Sequence, residues 1–156
     1  MELNIDELKL VSDEMGSIHE ASHAVMSVLV GSSVVGVWLE GRGSNYVGFC
    51  ESTIATAPQD EVAIKFAGVC GELIETQQSC WSICFRDSGR SDWRSSQVSI
   101  DHIGGDRRKA IREAKATRLD RLTQHWPWVL AVAHKLRETR YLCGDEVLAL
   151  RPISLT

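Results

Sequence analysis

Ser12-Asp13-Glu14-Met15-Gly16-Ser17-Ile18-His19-Glu20-Ala21-Ser22-His23-Ala24-Val25-Met26-Ser27-Val28-Leu29-Val30-Gly31 reads as one helix. Ser12 is placed to cap it, and Asp13 and Glu14 put two acids in its first turn. Ile18, Ala21, Val25 and Val28 recur at helical spacing, and Gly31 is a natural stop. The expected length is roughly 18 residues. Inside it stands His19-Glu20-Ala21-Ser22-His23, the pattern H-E-x-x-H.

A spacing of four places both imidazoles on one helix face, about one turn apart, so that both reach a single zinc ion. Glu20 is then the expected general base on a zinc-bound water, taking its proton during attack on a peptide carbonyl and returning it to the leaving amine. Random ordering of this composition gives roughly 0.01 such matches, so the pattern is informative. The bland alternative is a helix that carries two histidines on a polar face. A catalytic zinc also needs a third protein ligand and an open position. Glu40, Glu51, Glu72, Asp87, Asp92 and His102 all have suitable chemistry, and spacing does not choose among them.

Outward from this helix, Val34–Glu40 and Tyr46–Cys50 are rich in strand formers and flank turn residues 41–45, giving an antiparallel hairpin with a long loop. Either strand, Val34–Glu40 or Tyr46–Glu51, offers an edge against which an extended peptide could lie. Pro58 opens a second helix, with Val62, Phe66, Val69 and Leu73 on its apolar face. Ala67, Gly68 and Gly71 are small enough to admit a close neighbour. The stretch from Ser79 to Arg90 is ambiguous. Ser91 is a candidate cap for a short helix from Asp92 to Ile100, and Gly104-Gly105 breaks the chain. Helices are expected from Asp106 to about His125, from Trp128 to about Thr139 and from Asp145 to Leu150. The fold class is therefore mainly α with a small β-hairpin or sheet (α+β), and residues 1–156 form a single domain.

The 156 residues suit one domain with its own core. Hydrophobic and charged contents of 44% and 24% are those of a globular chain. A formal net charge of −4 gives no reason to expect nucleic acid as a partner. No apolar run approaches a membrane span, and the acidic N-terminus lacks a signal pattern, so the cytoplasm is the expected compartment. The cysteines at 50, 70, 80, 84 and 143 are odd in number and are read as thiols. Cys70, Cys80 and Cys84 lie close enough in sequence for a second metal site, although buried inert thiols fit better. The basic residues of the 106–125 helix are diluted by acids and read as a solvated face. His102, His125 and His134 lack partner spacing.

Several segments together resemble the peptidase domain of FtsH-type ATP-dependent zinc proteases, from about Gly16 to Leu150. Ile18–Val25 resembles that family's H-E-A-G-H-A helix, and Val35–Phe49 its strand, Arg-Gly turn and return strand. Phe66–Ile74 resembles its A-G-R-x-A-E helix. Ser88–Trp93 resembles its G-A-S-N-D-L segment, and Leu142–Leu150 its closing L-x-G-x-E-[IV]-x-x-L. The resemblance implies a zincin-like H-E-x-x-H helix with a C-terminal helical bundle, Zn²⁺ as cofactor, and Asp92 as third ligand beside His19 and His23. It makes Glu72 a candidate for hydrogen-bonding a ligand histidine and fixing its tautomer. Three positions depart from the family pattern: Ser22 replaces a glycine, Val69 an arginine and Gly71 an alanine. No P-loop accompanies the peptidase segments. The expected activity is therefore an ATP-independent zinc metalloendopeptidase acting on flexible or unfolded protein or peptide substrates, with a separate unfoldase or a specific protein target as possible partner. The alternative is a non-catalytic metal-binding regulatory or interaction protein that retains the fold.

Overall fold

The computed structural model describes residues 5–42, 45–55, 57–78 and 87–153. In chain order the elements are α1 (Ile5–Leu29), β1 (Val34–Arg42), β2 (Asn45–Ser52), α2 (Pro58–Thr76), α3 (Asp87–Ile103), α4 (Arg107–Gln124), α5 (Trp126–Thr139), β3 (Tyr141–Cys143) and α6 (Gly144–Ala149). The fold is mainly helical with one small antiparallel sheet, as expected. No helix among the described residues is long and apolar enough to cross a membrane.

α1 is the central element. Its buried face carries Ile18, Ala21, Ala24, Val25 and Met26. It packs against α2, against α5 and against the inner face of the sheet. It starts at Ile5, well before Ser12. The expectation of a cap at Ser12 is thereby corrected: Ile5–Val11 contains no glycine or proline to stop a helix, and Leu, Glu and Lys all favour one. Asp13 has a tertiary role instead, with Arg140 Nη2 donating to its Oδ2 at 2.6 Å. Gly31, at a φ of 85°, ends the helical segment as expected.

The sheet has the order β2-β1-β3. β1 pairs with β2 through Val37↔Cys50 and Trp38↔Phe49, and with β3 through Gly36↔Cys143 and Trp38↔Tyr141. Val37, Leu39 and Leu142 point inward and are fully buried. The strands β1 and β2 extend to Arg42 and from Asn45, so the hairpin connection is shorter than the sequence suggested. β3 was not anticipated. Its pairing makes β1 the middle strand and withdraws Val34–Glu40 as a candidate free edge over 36–38; β2 remains an end strand.

α2 packs against α1, α3 and α4. Pro58 stands in its first turn, followed by Asp60 and Glu61, as predicted. α3 begins at Asp87, so Asp92 lies within a helix and Ser91 is no cap. The residues before Ser91 are compatible with a helix and simply continue it upstream. Of the ambiguous segment, residues 79–86, with Cys80 and Cys84, lie outside the described residues. Gly104 and Gly105 both adopt positive φ between α3 and α4, a conformation that costs glycine little. Asp106 then caps α4 by accepting from the Arg108 and Lys109 backbone N–H groups. α5 and α6 are tied by the Trp128 indole N–H, which donates to the Val147 carbonyl at 2.9 Å.

Candidate metal centre

The site forms where α1, α2 and α3 meet. His19 and His23 lie one turn apart on α1, both nearly fully buried. Their Nε2 atoms are 3.1 Å apart. Asp92 of α3 completes the group, with Oδ2 lying 2.8 Å from His19 Nε2 and 3.0 Å from His23 Nε2. These three residues form a group able to hold a metal ion. α3 is held in place for this by the edge-to-face contact of Phe66 with Trp93, at 5.9 Å between ring centroids. Lys65 Nζ also donates to the Ser95 carbonyl at 3.1 Å.

The outer nitrogens of both rings are committed elsewhere. His19 Nδ1–H donates to Glu72 Oε1 at 2.5 Å, and His23 Nδ1–H donates to the Ile64 carbonyl at 2.7 Å. A neutral imidazole that donates from Nδ1 has a bare lone pair at Nε2. Two lone pairs and a carboxylate oxygen therefore converge within 3.1 Å in a buried place. Such a cluster is unfavourable without a positive charge among the three atoms.

The donor set fits zinc. Tetrahedral zinc with bonds of ~2.0–2.1 Å separates its ligand atoms by about 3.3 Å, a few tenths of an ångström more than observed. Two imidazoles and one carboxylate form a ligand set found in catalytic zinc sites. The carboxylate on His19 fixes its tautomer and orientation, as partners of metal-bound histidines do. Space is provided by α2: a Cβ built on Gly68 would collide with the Nε2 atoms of both histidines. Any side chain there would occupy the space between the ligands.

Electrostatics show the same tension. Burial works against charge on His19, but Asp92 and Glu72 outweigh it and hold its pKa well above the ordinary imidazole value. His23 is raised as well, against burial, chiefly by Asp92. Asp92 is partly buried, yet the two histidines hold its carboxyl far below the usual range. Without a metal, protons satisfy the cluster.

Glu20 is buried beside this group. Its carboxyl lies against Gly48 of β2, where a Cβ would overlap it. Burial raises its pKa, with His19 and His23 partly opposing the shift. Cys50, two residues along β2, is half-buried, and burial together with Glu20 and Asp92 pushes its thiol upward.

Among the sequence candidates, the structure brings His19, His23 and Asp92 together, with Glu72 behind His19 and Glu20 alongside. Glu40, Glu51 and His102 are exposed and stand outside the group. His134 faces Glu138 on the surface at 3.3 Å, and His125 packs on Trp128. Cys70 is buried, and Cys50, Cys70 and Cys143 form no disulfide. Sequence reasoning missed the Ile64 carbonyl, the role of Gly68 as a wall of the site, and Gly48 beneath Glu20. The small residues around Gly68 signalled a close approach without saying to what.

Compared with known proteins, the chain matches no family model and no curated sequence.

Proposed function

We propose that this protein is a zinc-dependent metallopeptidase that hydrolyses peptide bonds in flexible or unfolded segments, with His19, His23 and Asp92 as ligands and Glu20 as general base. The observation that carries this reading is the convergence of two buried imidazoles and a partly buried carboxylate beside a further, buried carboxyl, that of Glu20. Metal storage or structural binding has no need of Glu20, whereas hydrolysis does. When bound, zinc would act as a Lewis acid, polarising the scissile carbonyl and the attacking water.

The chain's own groups supply the rest. Glu20 takes a proton from the water on its carboxylate and passes it to the departing amine. Glu72 and the Ile64 carbonyl hold the two imidazoles in register and, in the neutral tautomer they select, leave the lone pair at Nε2. β2 lies over Glu20 at Gly48 and is an end strand, so an extended polypeptide added to it would pass the carboxyl. That arrangement supports a zincin-like reading, with the H-E-x-x-H helix beneath a sheet edge and helices following it. The resemblance to FtsH-type peptidase domains supports the same assignment. Strand addition requires unfolded or locally opened substrate.

The test is zinc analysis with a casein-cleavage assay on wild type and Glu20→Gln. About one zinc per chain is expected in both. Cleavage should fall by roughly 10²–10⁴-fold in the variant. Undiminished proteolysis by Glu20→Gln would refute the mechanism, and zinc-loaded wild type that cuts nothing would point to the regulatory alternative.

A further inference from the structure

The outer face of the sheet carries a row of aromatic side chains, one from each strand. Register puts Phe49 of β2 opposite Trp38 of β1, and Trp38 opposite Tyr141 of β3. The ring centroids are 5.7 Å and 5.1 Å apart. Their sequence neighbours Val37, Leu39 and Leu142 form the buried inner face, so the row looks away from α1. Gly36 is part of its construction, because a Cβ there would run into the Trp38 and Tyr141 rings. Phe49 is 58% exposed and Tyr141 42%. Scattered exposed apolar residues need no explanation, but a contiguous stacked set marks a contact surface.

We propose that this row selects the polypeptide that docks along β2, favouring a large apolar or aromatic side chain at the substrate position opposite Phe49. The inference rests on the peptidase reading and adds to it a preference set on the face away from the metal. Two observations identify the occupant. Phe49 directly follows Gly48, against which Glu20 lies, so the row stands on the reverse face of β2 one residue from the strand's contact with Glu20. β2 also ends the sheet, and no strand among the described residues pairs with its other edge. Side chains of a strand alternate between faces. A substrate strand on β2 therefore turns one set of side chains toward Glu20 and the next toward Phe49. An aromatic in the second set becomes a fourth ring in the row. Cross-strand aromatic pairs are favourable by an amount worth roughly fivefold in affinity at most.

The experiment uses zinc-loaded Glu20→Gln protein and a peptide series in which one Phe is moved through a Ser-containing frame. Binding is read by calorimetry. Peptides with Phe at alternate positions should bind up to about fivefold tighter than their Ser counterparts. Phe49→Ser should level the two, and Phe49→Tyr should restore the difference. In the active enzyme the same change should raise KM for the Phe peptides and leave kcat alone. Tyr141→Ser provides a second test should Phe49→Ser fold poorly, as judged by thermal melting and zinc content. Equal weakening of Phe and Ser peptides, no peptide binding, or a wild-type dimer that Phe49→Ser converts to monomer would overturn the proposal. The last outcome would assign the row to a second copy of the chain. Peptide binding with the expected selectivity but no cleavage by wild type would sink the peptidase reading while sustaining the row.

Discussion

Gly68→Ala is the most discriminating single change to this protein. Alanine normally stabilises a helix relative to glycine by roughly 0.5–1 kcal/mol. Here the added methyl points at the two histidines of the candidate centre: a Cβ at 68 falls 2.6 Å from His19 Cε1, and both Nε2 atoms are nearer still. Carbon–carbon contacts prefer about 3.5–4.0 Å, so the rings must retreat by roughly 1 Å. Metal–ligand distances tolerate only about 0.2 Å. His19 cannot retreat without straining its bond to Glu72, nor His23 without losing the Ile64 carbonyl. Overpacking costs roughly 1–3 kcal/mol, offset in part by the helix gain, so the metal-free fold should survive. Zinc affinity should fall by more than the roughly 10–100-fold seen when only an outer hydrogen bond to a ligand is lost.

The assay is competition for zinc with a chromophoric chelator, run beside thermal unfolding with and without zinc. Wild type should gain stability from zinc, since binding to the native state alone raises apparent stability. Gly68→Ala should melt close to metal-stripped wild type and show little response to added zinc. Wild-type zinc affinity in Gly68→Ala would refute the reasoning, because the methyl has nowhere else to go.

Other expectations follow from the same geometry. Glu72→Gln keeps the shape but removes the carboxylate behind His19, and zinc affinity should drop roughly 10–100-fold, measured by the same competition; an unchanged affinity would show that this bond does not orient the ligand. Because His19 and His23 are raised above the ordinary imidazole value in metal-free protein, their contribution to stability is complete below about pH 6.5 and is lost as pH rises through the folded-state values. Metal-stripped protein should thus melt lower at pH 8 than at pH 6, while zinc affinity climbs over the same interval as the protons leave, and parallel trends in both measurements would contradict this. Gly71→Ala alone should destabilise by about 1–3 kcal/mol in urea titration, and combining it with Ser22→Gly should recover part of the loss, with a coupling of roughly 0.5–3 kcal/mol; strict additivity would argue against contact between the two.

How far the site was legible depends on how local each part is. The H-E-x-x-H pair declares itself because helical spacing fixes which face the imidazoles share. Pro58, Gly31 and Asp106 mark helix ends through short-range preferences and stand where expected. Asp92 is different in kind. It lies 69 residues beyond His23, and only the packing of α3 on α2 brings it to the histidines. Spacing could not separate it from five other candidates, and the resemblance supplied the choice. β3 escaped notice because three residues are too few to display alternation; its pairing with β1 is what makes Tyr141–Cys143 a strand. Ser12 misled because capping residues also occur within helices when the residues before them favour one.

The departures from the FtsH-type pattern look different once the helices are assembled. Ser22 and Gly71 face each other across the α1–α2 contact. Ser22 is fully buried and its hydroxyl donates to the Ile18 carbonyl at 2.7 Å. A Cβ on Gly71 would collide with that hydroxyl oxygen. The resembled pattern has glycine on the first helix and alanine on the second, whereas this chain has serine on the first and glycine on the second. The two changes shift side-chain volume from one helix to the other across a single contact. A buried serine on α1 facing a glycine on α2 places the side-chain volume of this contact on one helix only, and the spacing between the helices accommodates it. That spacing matters chemically, because Gly68 and Glu72 flank Gly71 on α2 while His19 and His23 flank Ser22 on α1. A helix separation altered by even a few tenths of an ångström would disturb the His19–Glu72 bond and the room left by Gly68. Considered singly, the two differences count against the resemblance; as a contacting pair, they are compatible with the arrangement of His19, His23 and Glu72 seen here.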